Sequence, residues 1–192
     1  MKITKIFTIA FALIISFTTV KAQETSSFKA DASTSIINWK GYKPAGSHYG
    51  TIVLKSGNLN VEGDQISGSF VVDMSTIKDA DGSGRLEGHL KSKDFFEIES
   101  YGTSKFEITS SKTNNGKLQV TGNLTIKGIT KEITFPATIL RGDGMITLTS
   151  ETIQINRADY NIQYKSKSFF NNLKEKFIND EFDLQVKIVA KK

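Results

Sequence analysis

The chain has 192 residues, of which 38% are hydrophobic and 23% charged, with 13 Phe, 15 Gly, 2 Pro and no Cys. That polarity excludes a disordered chain, the lack of cysteine excludes a disulfide scaffold or thiolate site, and the length suits one domain. The formal net charge of +5 raises nucleic acid as a partner, a reading that depends on where the charges sit.

Met1, Lys2 and Lys5 form a short basic head, residues 6–17 are apolar apart from Thr8 and Ser16, and Val20-Lys21-Ala22 suits a signal peptidase. The expectation is a signal peptide over residues 1–22, cleaved after Ala22, and an exported domain over residues 23–192. The apolar run is shorter than the roughly 20 residues a spanning helix needs, so no stable membrane anchor is expected. Export without disulfides fits a bacterial periplasm, or secretion, better than a small extracellular eukaryotic domain. Lys2, Lys5 and Lys21 leave with the signal and no acid does, so the net charge falls to about +2, an ordinary solvated surface. Nucleic acid is not expected as a partner.

Period two dominates residues 23–192. Residues 36–42 and 49–61 read as strands, and Ile66, Gly68, Phe70, Val72 and Met74 alternate with Ser67, Ser69, Val71, Asp73 and Ser75. Residues 83–96 break the period, with Leu86 and Leu90 at helical spacing. Strands resume at 105–110 and at 118–126, where Leu118, Val120, Gly122, Leu124 and Ile126 form the apolar face. They continue at 129–140 and 145–155. Residues 166–178 place Phe170, Leu173 and Phe177 at helical spacing, which predicts a second short helix. Phe182, Leu184, Val186 and Ile188 mark a last strand. Turn residues separate the strands at Glu62-Gly63-Asp64, Asn114-Asn115-Gly116, Lys127-Gly128 and Gly142-Asp143-Gly144. About eight one-faced antiparallel strands without a long helix to cover them favour an all-β closed barrel over a sandwich. An eight-stranded barrel has room inside for side chains or for one small ligand, and the pattern does not separate the two.

Catalytic motifs are missing. His48 and His89 are the only histidines, no metal-ligand pair or nucleophile elbow occurs, and the Gly82-Ser83-Gly84 cluster is not a phosphate loop. No catalytic residue, cofactor or metal is therefore expected. Residues 79–87 open like a calcium loop, with Asp79, Asp81, Ser83 and Gly84 near ligand spacing, but the twelfth position is Leu90 rather than Glu. The plainer reading is a loop whose Ser83 caps the following helix. Lys91-Ser92-Lys93-Asp94-Phe95-Phe96 recurs as Lys165-Ser166-Lys167-Ser168-Phe169-Phe170, either by similar local turns or as two basic segments presenting Phe pairs at a barrel mouth.

The segments Phe70-x-Val72-Asp73-Met74-Ser75-Thr76-Ile77, His89-Leu90-Lys91-Ser92-x-Asp94-Phe95-Phe96-Glu97, Phe106 and residues 122–131 resemble, in order and spacing, the YceI-like family of exported polyisoprenoid-binding proteins. Trp39 and His48-Tyr49-Gly50 before them, and Asn156-Arg157-x-Asp159-Tyr160 after, look like its remaining landmarks. The resemblance covers nearly all of residues 23–192. It implies an eight-stranded lipocalin-like barrel, here with the two short helices near its mouth, holding a long isoprenoid chain, often as a dimer. Tyr160-Asn161 departs from the Phe-Gly that usually follows the Arg-x-Asp.

Burial alone suffices to hold such a ligand, since each CH2 removed from water contributes roughly 0.8 kcal/mol. Candidate lining residues are Trp39, Phe70, Val72, Met74, Phe106, Leu124 and Ile126 on strands, with Leu90, Phe95, Phe96, Phe169 and Phe170 at the helices or mouth. For each, plain core packing is the competing reading. His48 and His89 are candidates to hydrogen-bond a head group, and Lys91, Lys93, Lys165 or Lys167 to pair with an anionic one. The expected function is binding of an isoprenoid or similar long-chain amphiphile for transport or storage. Two other readings stay open: an envelope enzyme using His48 or His89 as a base on such a lipid, and a filled-barrel protein-interaction module.

Overall fold

The computed structural model describes residues 24–114 and 116–192; the expected signal peptide lies outside the described residues. The strands are β1 (Ser26–Ala30), β2 (Ile36–Lys43), β3 (Gly46–Glu62), β4 (Gln65–Asp79), β5 (Thr103–Asn114), β6 (Lys117–Ile126), β7 (Ile129–Gly142), β8 (Met145–Ser150), β9 (Ile153–Asn156) and β10 (Glu181–Lys191). One α-helix, α1 (Gly84–Lys91), follows β4.

Strands β2 to β8 pair antiparallel with their neighbours in chain order, and β10 pairs with both β8 and β2. The sheet therefore closes into a ring. Ten strands fill eight places in it. β1 and β2 share one place, because β10 meets β2 over residues 182–187 and β1 at 190–191. β8 and β9 share another, interrupted at the exposed Glu151-Thr152. The single strand expected over residues 145–155 is thus two, and β1 has no counterpart among the expected strands: with only Phe28 and Ala30 apolar, it carries too short a period-two signal.

The break between β1 and β2 is tied to β10 by polar side chains. The Asp31 N–H donates to Val189 O at 2.8 Å, Ser35 Oγ accepts from Val189 N–H at 3.1 Å, and Lys191 Nζ donates to Asp31 Oδ2 at 2.6 Å. The turns follow their residues: Lys127-Gly128 takes φ 49° and 74°, the two positive values that a two-residue hairpin turn needs.

Alternation puts the apolar members inside. Leu54, Leu59, Phe70, Ile108, Val120, Leu148 and Ile188 are all buried in one core. Gly122 makes room there, since a Cβ at that position would lie 2.4 Å from Glu107 O and 2.6 Å from Phe106 Cζ. Three register shifts change the phase of the pattern, one of them in β3 after Leu54, where the buried set passes from Ile52 and Leu54 to Leu59 and Val61. In β5 the pairing slips after Ile108, and Ser111 Oγ then accepts from Ile66 N–H at 2.7 Å across the resulting gap in the ladder. In β4, Thr51 pairs with Lys78 but Val53 pairs with Asp73, so residues 74–77 bow out of the ladder. Thr76 Oγ1 accepts from Val53 N–H at 2.9 Å, and Asp73 Oδ1 accepts from the Ser75 N–H at 3.0 Å, which satisfies the freed backbone. At its far end and beyond, the odd-numbered Ile77 and Asp79 are buried, whereas before the bulge the even-numbered Ile66 and Phe70 are.

Of the two expected helices only the first forms. Ser83 caps it, its hydroxyl accepting from Leu86 N–H at 3.4 Å. Residues 166–178 are turns with one short 3-10 segment, Lys174–Lys176. A helix of that length would hold its ends about 18 Å apart. Instead Ile178 N–H donates to Lys165 O at 2.9 Å, closing a loop, and the Ser168 hydroxyl anchors it to Asp180 Oδ2 at 2.7 Å. Lys174 at φ 46° breaks any helical run.

Folding depresses three carboxyls: Asp31, held by Lys191 and Ser33; Asp73, by Ser75; and Glu87, by Lys78 and the Asp79 N–H. Such groups stabilise the folded state above the ordinary carboxylate pKa, and that contribution is lost as pH falls through the depressed values. Melting temperature should therefore drop between roughly pH 5 and pH 2. Asp31→Asn should melt lower than the parent at neutral pH and lose part of this acid dependence, measured by circular dichroism.

Candidate functional site

The ring is hollow in two places. The larger cavity, about 190 Å³, is bounded by β2 to β6 and β10, by α1 with the turns after it, and by Arg157, Ile178 and Asn179 from the segment before β10. The smaller, about 100 Å³, lies among Leu54, Phe70, Phe106, Ile133, Phe135 and Leu148. Ile37, Val72, Leu124 and Leu184 line both, so they form the partition.

Eight of the residues expected to line a cavity line the larger one, Trp39, Val72, Met74, Leu90, Phe95, Phe96, Leu124 and Ile126, and so do the two histidines expected at a head group, His48 and His89. Phe70 and Phe106 line the smaller. Phe169 and Phe170 line neither; they stand 42% and 47% exposed. The echoed segments fold alike locally. Ser92 and Ser166 each accept, through Oγ, from the N–H two residues on, and each carbonyl accepts from the first Phe of the pair. The repeat is thus turn chemistry, and only Phe95-Phe96, packed beneath α1, reaches the interior.

The walls are apolar, and the polar groups gather at one end. Lys43 Nζ lies 3.3 Å from His48 Nε2, and His48 Nδ1 lies 3.6 Å from Asp79 Oδ1. His89 packs edge-on against Tyr164 and Phe95, with ring centroids 4.4 and 5.6 Å away, and its Nε2 is 3.7 Å from Asp94 Oδ2. Tyr42 donates to Asp183 Oδ2 at 2.6 Å, and that bond raises its phenol pKa. No carboxylate is among the residues lining the larger cavity.

Arg157 fixes the loop that closes this end, and in the sequence it stands out only as a landmark. Although 2% exposed, it donates to three carbonyls, Asn179 O at 3.0 Å, Ile162 O at 2.9 Å and Ile178 O at 3.0 Å, and faces Asp180 at 3.2 Å. Burial lowers its pKa and Asp180 opposes that shift. Its neighbour Tyr160 is buried with its hydroxyl unpaired, and desolvation, reinforced by Asp159, pushes the phenol up to about 12.

A family model described as the YceI-like domain matches residues 27–190. The chain belongs to the YceI-like family. Among curated relatives, a UPF0312 protein of Pseudomonas putida is 34% identical over 98 residues, half of each chain; the chain spans about half the length of the curated relatives it matches. Among solved structures, Burkholderia cenocepacia BcnA superposes with TM-score 0.70 at 20% identity, over 84% of this chain and 99% of that one. A polyisoprenoid-binding domain of Saccharophagus degradans implicated in plant cell wall breakdown gives 0.60 at 14% identity, over 85% and 97%. These likenesses establish the YceI-like fold.

Other lining residues went unread in the sequence: Ile37, Ile52, Ile77, Phe182, Leu184 and Ile178 among them. Phe182 and Leu184 sit in the last alternating set and were readable; Ile178 lies inside the helix that does not form. Replacing Arg157 by Met should cost about 3–5 kcal/mol, because it leaves Asp180 buried without its cation. Urea denaturation measures this, and adding Asp180→Leu should recover part of the loss.

Proposed function

We propose that this YceI-like protein is an exported binding protein that holds one long-chain amphiphile, of isoprenoid type, in the two cavities, for transport or storage. The observation that carries the reading is the cavity pair itself, apolar along its walls and polar at one end. The tail lies along Met74, Leu124 and Ile126 toward Phe70 and Phe106, and moves the side chains of Val72 and Leu124 to pass between the chambers. The head sits at the end that holds Lys43, His48 and His89, whose N–H donors favour an anionic or strongly polar group. Affinity comes from the tail at roughly 0.8 kcal/mol per buried CH2, so the head sets orientation more than strength. The Saccharophagus domain, described as polyisoprenoid-binding, supports the ligand class. No helix among the described residues is long and apolar enough to cross a membrane. The basic, apolar N-terminal segment supports export. Binding alone accounts for the cavity, and no step of catalysis is assigned.

Organic extracts of the purified protein, analysed by mass spectrometry, should contain a long-chain lipid. Val72→Trp, which fills the partition, should abolish both that lipid and uptake of a fluorescent fatty acid, at a stability cost of about 1–3 kcal/mol. A parent protein that carries no lipid and takes up neither a polyprenol nor a fatty acid overturns the reading.

A further inference from the structure

Beside the cavity's polar end, three potential donors from distant parts of the chain converge. A ring nitrogen of His48 on β3, a carboxylate oxygen of Asp79 at the end of β4 and one of Asp81 in the following loop all lie within 4.8 Å of one another. The Asp79 side chain is 1% exposed, yet its Oδ1 has no hydrogen-bond partner. It aims at His48 Nδ1, which is buried and equally without a partner, from 3.6 Å. Asp81 is exposed and free to adjust.

The β4 bulge is what turns Asp79 inward, and a set of backbone bonds then holds it. Ala80 N–H donates to Tyr49 O at 2.9 Å, next to His48, so the two donors sit on hydrogen-bonded chain segments. Asp79 Oδ2 accepts from Ser83 N–H at 3.1 Å, which fixes the carboxylate plane and leaves Oδ1 directed at the imidazole. The buried Glu87 accepts from Asp79 N–H at 3.2 Å and from Lys78 Nζ at 2.9 Å, which keeps that lysine engaged away from the cluster. Gly50 is required here: a Cβ would fall 1.8 Å from Lys78 O.

We propose that His48, Asp79 and Asp81 form a site for a divalent transition-metal ion of the zinc class at the rim of the lipid cavity. Two bonds of about 2.1 Å opening at about 120° span the observed separation of Nδ1 and Oδ1. One imidazole with two carboxylates is a borderline donor set, matched to zinc, whereas calcium takes six to eight oxygens. Residues 79–90 do not make a calcium loop: the Ser83 hydroxyl is spent capping α1, and Glu87 pairs with Lys78. Three protein donors leave a fourth tetrahedral position open for water or an anionic oxygen. Metal at Nδ1 puts the ring proton on Nε2, so Lys43 moves off the contact it makes there. The proposal does not depend on the identity of the cavity's ligand, because none of its three donors needs a lipid to be in place.

The test uses the full exported chain, purified without a polyhistidine tag. Zinc chloride should raise its melting temperature and bind one equivalent in calorimetry, while calcium chloride does neither. Cobalt should give the visible absorption of a four-coordinate ion. His48→Gln and Asp81→Asn should each weaken zinc binding at least about tenfold, with unchanged circular dichroism. Asp81 is exposed, so that variant tests the site even where a change at Asp79 unfolds the loop. Zinc binding that survives both substitutions, or a parent protein indifferent to millimolar zinc, overturns the proposal and leaves His48 and Asp79 as a structural contact.

Discussion

Closure of the sheet by its last strand is the constraint on which the other features depend. β10 pairs with β1, β2, β8 and β9, so one C-terminal segment joins the two ends of the sheet and removes both edges. An open sheet of eight places would twist and need another layer to cover its apolar face. A closed one covers that face with itself, and the radius is then set by strand number rather than by side-chain volume. The interior can therefore remain partly unfilled without leaving backbone groups unpaired, and the two cavities are the geometric consequence.

The ends of the ring are where the chain departs from regular pairing, and chemistry collects there. The β4 bulge shifts the inward phase from Phe70 to Ile77 and Asp79, which brings a carboxylate beneath His48. The loop of residues 165–178 returns on itself through Lys165 and Ile178, and Arg157 locks it by taking three carbonyls and Asp180. That buried guanidinium is structural: its donors are used within the chain, which leaves Lys43, His48 and His89 as the basic groups free to face the cavity.

Much of the ring was legible because alternation reports which side of a strand is buried. Phe70, Val72, Leu124 and Ile126 read as inward on that ground and line the cavities. Alternation fails where the ladder slips, so Ile77 and Asp79 could not be placed from the pattern that fixed Phe70 and Met74. It fails also for β1, whose two apolar residues are held by pairing with β3 and β10 rather than by any local signal. Phe170, Leu173 and Phe177 have helical spacing, but a helix cannot join Lys165 to Ile178 across one hydrogen bond, and tertiary closure wins over local periodicity. The likeness of the two Lys-Ser-Lys segments was real as turn chemistry and misleading about burial, because the hydroxyl turn they share says nothing about what lies beneath it. The closeness of His48 to Asp79, 31 positions apart in sequence, follows from the β3–β4 register and had no signature in the chain.

The central claim is that the interior of the ring holds an extended lipid. Its most direct test is the electron density inside a crystal of protein purified without added lipid. The account predicts a continuous elongated feature running from the side chains of Lys43 and His48, past Val72 and Leu124, to Phe70 and Phe106. Two separate cavities, empty or holding only isolated waters even after soaking with a polyprenol, would contradict it.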